Sequence, residues 1–227
     1  MKNHLAMLKA DYIIIDFDST FISNESLDIL AESCLIKQEN HHVIMEKIRK
    51  ITEKGMSGEI NFKESLKQRI KLIKATKMDV SKVSKNLNKI VTKSFLRNKK
   101  FIKNNNDKIF FISGGFKEML LPSLKNFGVH ENHIFGNDFI YNNADEVIGF
   151  NHDNPLSAEN GKVKIVEMLS LKGVVHAIGD GFNDYLLKKS GKVSSFFAFT
   201  ENVHRKKVCA LADRVLTSFD EYINIFN

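Results

Sequence analysis

The sequence predicts an α/β fold: a doubly wound parallel sheet with a small helical cap inserted after the first strand. Three observations support this prediction. Apolar runs typical of buried strands alternate with helical patterns, residues 22–92 look entirely helical, and several strand-like runs end abruptly in acidic residues or in serine and glycine. We therefore expect an α/β core of residues 1–21 and 93–227 and a helical cap of residues 22–92.

The bulk composition is typical of a globular chain. Of the 227 residues 43% are apolar, which is enough for an ordinary core, and no apolar run is long enough to cross a bilayer. Residues 1–10 contain no apolar stretch typical of a signal peptide, so we expect a cytoplasmic protein without a membrane partner. Cys34 and Cys209 lie far apart without metal-site spacing, which favours reduced thiols over a disulfide or a zinc site.

The positive charge is concentrated in one segment. The net charge is +7, but residues 41–108 hold 19 Lys or Arg against 6 Asp or Glu, a net of +13, so the other residues carry −6. These lysines fall on the polar side of helical patterns, without interleaved aromatic residues or a nucleic-acid-binding motif. The pattern favours a solvated helical surface that attracts anionic substrates, and it argues against nucleic acid as a partner.

The first strand is predicted at Tyr12 and the three isoleucines that follow it. It stops at Asp16 and Asp18, behind which come Ser19 and Thr20. Two carboxylates this close can hold a divalent cation, and an ionised aspartate can act as a covalent nucleophile. The alternative is an acidic turn that merely follows a core strand.

Four cap helices are predicted from apolar residues at helical spacing. The first would be capped by Ser23 or Asn24, and the second would end at Gly55. The third would begin at a capping box formed by Asn61 and Glu64. The apolar stripes of the four helices are, in order, Leu27, Leu30, Ala31, Cys34 and Leu35; Val43, Ile44, Ile48 and Ile51; Leu66, Ile70 and Ile73; and Val80, Val83, Leu87, Ile90 and Val91.

Strands and helices alternate again after the cap. A strand from Lys108 ends at Ser113 and two glycines, which repeats the pattern at Asp16. The elements expected after it are a helix to about Phe127 that Pro122 should kink or restart, a short strand and a hairpin within residues 134–150 that turns at Asn142 and Asn143, a helix from Asn160 to Leu171, a strand at 174–178, a strand at 196–199, a helix at 205–211, a strand at 215–216 and a terminal helix.

Chemically capable residues follow the predicted strands in a definite order. They are Asp16, Asp18 and Thr20; Ser113, Gly114 and Gly115; Lys162; and the run from Gly179 to Asp184, which reads Gly-Asp-Gly-Phe-Asn-Asp. A lone Ser-Gly-Gly or a lone lysine would mean little, but the ordered set resembles the four motifs of the haloacid dehalogenase-like phosphatases. The resemblance implies a Rossmann-like core and Mg²⁺-assisted phosphoryl transfer, in which positioning and charge stabilisation supply most of the catalysis.

The resemblance also implies a role for each residue. Asp16 would be the nucleophile that forms an aspartyl phosphate, and Asp18 would donate and then accept a proton. The implied phosphate-binding residues are Ser113, Gly114 and Lys162, and the implied metal-binding residues are Asp16, Asp18, Asp180 and Asp184.

Within this superfamily the chain resembles the phosphoserine phosphatase family over residues 12–223. The substrate-binding residues that this resemblance implies are Glu25, Met56, Phe62, Arg69 and Asn183. Glu25 and Arg69 would bind the amino and carboxylate groups of O-phospho-L-serine, while Met56 and Phe62 would wall the pocket. Phe62 and Arg69 share one helical face, since they are seven residues apart. Simpler alternatives are that Phe62 is a core residue, that Arg69 is a surface charge, and that Glu25 is a first-turn acid favoured by the helix dipole.

We therefore expect a magnesium-dependent phosphomonoester hydrolase of serine biosynthesis, present as a monomer or homodimer. The alternatives are phosphoryl transfer to an alcohol such as homoserine, hydrolysis of another small phosphomonoester, or a non-catalytic basic protein that binds RNA or acidic partners. Two residues depart from the family pattern. Phe182 is bulkier than expected inside the fourth motif, and Pro122 is unexpected in the helix after Ser113. Neither departure removes a catalytic group.

Overall fold

The computed structural model describes residues 8–57 and 59–226, and the side chains of Met56, Ser57 and Phe226 lie outside the description. The strands are β1 (Tyr12–Ile15), β2 (Ile109–Phe116), β3 (Ile134–Asn137), β4 (Phe139–Tyr141), β5 (Val147–Phe150), β6 (Val175–Gly179), β7 (Ser195–Phe199) and β8 (Arg214–Leu216). The helices are α1 (Ser26–Leu35), α2 (His41–Ser57), α3 (Phe62–Ile73), α4 (Lys77–Asn86), α5 (Lys93–Arg97), α6 (Lys99–Asn104), α7 (Lys117–Asn126), α8 (Gly161–Leu169), α9 (Phe182–Lys189), α10 (Lys206–Leu211) and α11 (Phe219–Phe226).

Six strands form one parallel sheet in the order β3-β2-β1-β6-β7-β8, while β4 and β5 form a separate antiparallel hairpin. The sheet is buried on both faces, because Ile13 and Ile15 of β1 enter one apolar cluster and Ile14 enters the other. Continuous apolar strands are what such a doubly covered sheet requires. The predicted α/β fold class is confirmed.

Helices α1 to α4 lie between β1 and β2 in the chain and contribute to the same apolar cluster as one face of the sheet. The chain leaves and rejoins the core through two paired segments, since Ile22 and Val91 form an antiparallel bridge and the Thr92 amide donates to the Phe21 carbonyl at 2.9 Å. In the connection between α3 and α4, the Ala75 carbonyl accepts from the Val147 amide of the hairpin at 2.8 Å. The helical segment is thus tied to the hairpin as well.

Several predicted boundaries were wrong. Helix α1 begins at Ser26 and not behind Ser23 or Asn24, and α2 continues two residues past Gly55. The fourth helix ends at Asn86, after which residues 87–90 form a 3₁₀ helix. Helix α7 is one helix that runs through Pro122 without restarting, because a single proline removes only one backbone donor.

The predicted capping box is only half formed. The Asn61 side chain accepts from the Glu64 amide at 2.8 Å, but the Glu64 carboxylate accepts from Gln68 instead of the Asn61 amide. The short helices α5 and α6 were not predicted. Strand β2 runs through Ser113 and both glycines, as expected, and ends one residue later at Phe116.

Candidate active site

The candidate site lies at the carboxyl edge of the three central strands. Because β2, β1 and β6 are neighbours in the sheet, the residues at or just beyond their ends meet there. Asp16 follows β1, Ser113 lies in the last part of β2, and Asp180 follows β6. All three are buried. Residues that are far apart in the sequence are therefore brought to one place.

Lys162 connects two of the site carboxylates. Its Nζ atom lies 2.6 Å from Asp16 Oδ1 and 2.6 Å from Asp184 Oδ1, and all three side chains are at most one-tenth exposed. Burial lowers the pKa of Lys162, but the charges of Asp16 and Asp184 outweigh it and raise the pKa above its ordinary value. Lys162 is therefore a fixed cation beside Asp16, on the first turn of α8.

Asp184 reaches this position because α9 begins directly beyond β6. Its Oδ2 atom accepts from the Gly181 amide at 3.0 Å, which caps the helix. A Cβ atom on Gly179 would lie 2.2 Å from Asp184 Cγ, so only glycine allows the carboxylate to pack over the end of the strand.

Asp180 is held from two sides. Thr20 Oγ1 donates to its Oδ1 atom at 3.3 Å, and Arg205 Nε donates to its Oδ2 atom at 2.9 Å. Burial raises the pKa of Asp180 to about 6, with further contributions from the charges of Glu25 and Asp184, while Arg205 opposes the shift. Arg205 was missed by the sequence reasoning. The signal that could have found it is its position just beyond β7, the next strand along the same sheet edge.

The residues Asp16, Asp180 and Asp184 could hold a metal ion. Each offers a carboxylate oxygen, and these oxygens lie within 4.8 Å of one another. Burial, followed by the charge of Asp184, raises the pKa of Asp16 well above its ordinary value. Oxygen ligands suit a hard divalent cation, whose charge would offset the repulsion among the three acids. The donor set therefore fits such a cation.

Asp18 is held at the start of α1. Its Oδ1 atom accepts from the Ser26 amide at 2.7 Å, and a Cβ atom added to Gly115 would lie 2.7 Å from its Oδ2 atom. Burial raises the pKa of Asp18 to about 6, and the hydrogen bonds from Ser26 partly oppose this. The metal-ligand role predicted for Asp18 stays a prediction, as do the other residue roles.

A cleft opens between the helical region and the core. It encloses about 290 Å³, including space open to solvent, and the predicted site residues Phe62, Gly114, Lys162 and Asn183 are among those that line it. The Phe62 ring packs on Gly114, where an added Cβ would lie 2.8 Å from the ring. Ser113 Oγ accepts from the Gly115 amide at 2.9 Å, which leaves its own hydrogen free to be donated to an anion.

Glu25 and Arg69 lie on the cap side of the site. Ser19 Oγ donates to Glu25 Oε1 at 2.7 Å, and burial, followed by the charge of Asp18, raises the pKa of Glu25 to about 7. Arg69 is 5% exposed; its Nη1 atom donates to Thr52 Oγ1 at 3.4 Å, and its positive charge lowers the pKa of Glu25 and of Asp18. The surface position considered for Arg69 is wrong. Met56 belongs to α2, but its side chain lies outside the described residues.

Curated relatives with similar sequences indicate one family. The phosphoserine phosphatase of Arabidopsis thaliana, a chloroplastic protein, is 30% identical over 218 residues, which cover 93% of this chain and 70% of that protein. The phosphoserine phosphatase of Methanocaldococcus jannaschii is 28% identical over 95% of this chain and 98% of its own. No family model matches the chain.

Solved structures give the same result. A phosphoserine phosphohydrolase-like protein from Francisella tularensis superposes with a TM-score of 0.85 at 28% identity, covering 96% of this chain and all of its own. A structure described as a phospho-aspartyl intermediate analogue of phosphoserine phosphatase superposes with a TM-score of 0.76 at 25% identity, covering 97% of this chain and all of its own. Together with the strand-end carboxylates and Lys162, these similarities show that the chain belongs to the phosphoserine phosphatase family of haloacid dehalogenase-like hydrolases.

Proposed function

We propose that the protein hydrolyses O-phospho-L-serine to L-serine and inorganic phosphate through an aspartyl phosphate on Asp16. The observation that carries the proposal is Lys162, whose ammonium group lies 2.6 Å from Asp16 and from Asp184. A buried cation beside a candidate nucleophile offers a place where phosphoryl oxygens can be neutralised. The relatives named phosphoserine phosphatase support this choice of reaction.

The first step transfers the phosphoryl group to Asp16. A carboxylate oxygen of Asp16 bonds to phosphorus while the bond from phosphorus to the serine oxygen breaks. Asp18 donates its proton to that oxygen, so serine leaves as a neutral alcohol. The raised pKa of Asp18, about 6, keeps part of its population protonated near neutral pH, as a general acid requires.

The second step hydrolyses the aspartyl phosphate. Asp18, now a carboxylate, accepts a proton from water as the water oxygen bonds to phosphorus. The bond from phosphorus to Asp16 breaks, and inorganic phosphate leaves. Ser113, the Gly114 amide and Lys162 bind phosphoryl oxygens in both steps. Bound Mg²⁺, held by Asp16, Asp180 and Asp184 with Asp18 as a further predicted ligand, would stabilise charge on the phosphoryl group.

The cap would select the substrate. Arg69 binds the serine carboxylate and Glu25 binds the amino group, since each presents the opposite charge from within the buried site. Phe62 would wall the pocket and Asn183 would contact the substrate, since both line the cleft. The wall role of Met56 rests on the sequence resemblance alone.

We also propose the division into a core of residues 1–21 and 93–227 and a cap of residues 22–92. The bridge between Ile22 and Val91 supports it. Among the described residues, no helix is long and apolar enough to span a membrane. A cytoplasmic location and a monomeric or homodimeric state remain proposals that rest on the sequence.

The test is a phosphate-release screen on phosphoserine, phosphothreonine, phosphoethanolamine and sugar phosphates, with Mg²⁺ or with a chelator. We expect the highest kcat/KM for phosphoserine and loss of turnover in chelator. Faster turnover of a sugar phosphate, or binding of acidic partners with no turnover at all, would refute the proposal. Parallel reactions with homoserine added would detect transfer to an alcohol as phosphohomoserine.

A further inference from the structure

The segment that follows β7, residues 200–205, reaches the turn that carries the catalytic aspartates. Asn202 Nδ2 lies 3.2 Å from the Ser19 carbonyl oxygen, 3.1 Å from that of Thr20, 3.3 Å from that of Ile22 and 2.7 Å from Thr92 Oγ1. Carbonyl oxygens only accept hydrogen bonds, so the NH₂ group of Asn202 must face them. The amide group of one side chain thus lies within hydrogen-bond distance of four acceptor oxygens.

These acceptors belong to both segments that connect the core with the cap. Ser19, Thr20 and Ile22 lie on the outgoing segment, and Thr92 lies on the returning one. Thr92 Oγ1 donates to the Thr20 carbonyl at 2.7 Å while it accepts from Asn202. Asn202, which is remote from both in sequence, therefore ties the outgoing and returning segments together.

The outgoing segment is strained where Asn202 holds it. Ser19 has φ 54° and ψ 2°, a left-handed conformation that is unfavourable for residues other than glycine. Such a conformation persists when its surroundings fix it, and here Asn202 binds the Ser19 carbonyl while Glu25 binds its hydroxyl. Asp18 directly precedes this residue. The direction of the Asp18 side chain therefore depends on the turn.

We propose that Asn202 is a positioning residue, which fixes the turn after Asp16 so that Asp16 can reach phosphorus while Asp18 reaches the leaving oxygen of the same substrate. The inference rests on the roles proposed above for these two aspartates. Asn202 acts through the backbone and not on the alcohol part of the substrate. Its loss should consequently lower kcat for every phosphomonoester by a similar factor and leave KM nearly unchanged.

The first experiment compares Asn202→Ala and the isosteric Asn202→Asp with the wild type. Steady-state kinetics are measured on phosphoserine and on p-nitrophenyl phosphate, well below the Tm of each variant. We expect kcat to fall about tenfold to a hundredfold on both substrates, the size of effect that small misplacement of catalytic groups produces. Asn106→Ala is the matched control, because Asn106 Nδ2 donates to the Gly128 carbonyl at 3.0 Å, away from the site, and its kcat should not change.

The second experiment is a double-mutant cycle with Thr92→Val, which also keeps the inference testable if Asn202→Ala does not fold. We expect Thr92→Val to lower kcat by itself, and its effect to shrink markedly once Asn202 is absent, because both residues hold the Thr20 carbonyl. Any of three results would overturn the inference. They are an unchanged kcat in folded Asn202 variants, a rise in KM alone, and a double variant whose loss in kcat equals the product of the losses in the two single variants. Wild-type turnover of phosphoserine tests the proposed function separately, since the inference depends only on the ratio of variant to wild-type kcat on either substrate.

Discussion

Replacing Arg69 with alanine should remove the preference for phosphoserine over phosphoethanolamine, which differ by one carboxylate. The structure shows why this arginine can discriminate between them. Its guanidinium is buried, one Nη1 contact goes to Thr52, and its Nε atom has no hydrogen-bond partner among the described residues. A buried guanidinium with an unused donor is suited to bind a carboxylate.

The expected magnitude follows from the contact that would be lost. A hydrogen bond between charged groups contributes about 1.5 to 3 kcal/mol, which corresponds to about tenfold to a hundredfold in kcat/KM. Asp28 Oδ1 lies 3.9 Å from Arg69 Nη1, so removing the arginine also leaves Asp28 without this cation and should lower stability. Lower stability reduces the active fraction equally for both substrates. The ratio of the two kcat/KM values is therefore the informative quantity.

The assay measures kcat/KM on both substrates for the wild type, Arg69→Ala and a control, Arg97→Ala. Arg97 is exposed and pairs with Asp220 at 2.6 Å, so its loss should change stability little and leave the preference intact. We expect the ratio of kcat/KM for phosphoserine to kcat/KM for phosphoethanolamine to fall about tenfold to a hundredfold in Arg69→Ala. An equal fall for both substrates would assign Arg69 to cap structure or phosphate capture, and an unchanged preference would show that the carboxylate binds elsewhere.

Three further predictions concern the carboxylates. Asp16→Asn should abolish phosphate release while circular dichroism and Tm show a folded protein, because an amide cannot form the aspartyl phosphate; turnover near the wild-type level would refute the mechanism. Asp180→Ala should bind Mg²⁺ more weakly than the wild type. Mg²⁺ at a hundred times its Kd should stabilise the wild type by about 2.7 kcal/mol in thermal unfolding, and the variant by less. Equal stabilisation of both proteins by Mg²⁺ would exclude Asp180 as a ligand. Burial raises the pKa of Glu25 from 4.5 to about 7, so its ionisation destabilises the fold as pH rises from 4.5 through 7. Glu25→Gln should accordingly raise the Tm of the metal-free protein at pH 8, by the equivalent of about 1 to 3 kcal/mol, and change it little at pH 4; equal effects at both pH values would contradict the assigned burial.

The strands could be predicted closely because their signal is local. Strand β1 needs only an apolar run that is buried on both faces, and β6 shows the same pattern. The start of α1 could not be predicted in this way. The Asp18 carboxylate accepts from the Ser26 amide at 2.7 Å and so caps the helix from eight residues away, in place of a cap at Ser23 or Asn24. This cap exists only once the turn after β1 has formed.

The site residues likewise fall into those that the local sequence pattern could predict and those that it could not. Residues that follow the central strands or begin the helices behind them, such as Asp16, Asp180 and Lys162, could be predicted to meet because parallel strands end on one edge. Asn202 and Arg205 could not, since each is recognised only by its partners across the fold, which are Thr20 and Asp180 respectively.

Asp16 and Asp18 are two residues apart, yet their surroundings suit them to opposite tasks. Burial and the charge of Asp184 raise the pKa of Asp16, while the ammonium of Lys162 lowers it, and a cation held by Asp16, Asp180 and Asp184 would favour the ionised form that a nucleophile needs. Asp18 accepts a hydrogen bond from the amide of Ser26, and burial raises its pKa to about 6. The backbone between them supplies this difference, because the irregular turn with its left-handed Ser19 sends the two side chains to different partners. A regular strand would place both carboxylates on the same face, where each would face the same neighbours. The strained turn is therefore what separates a nucleophile from an acid and base within one short sequence motif.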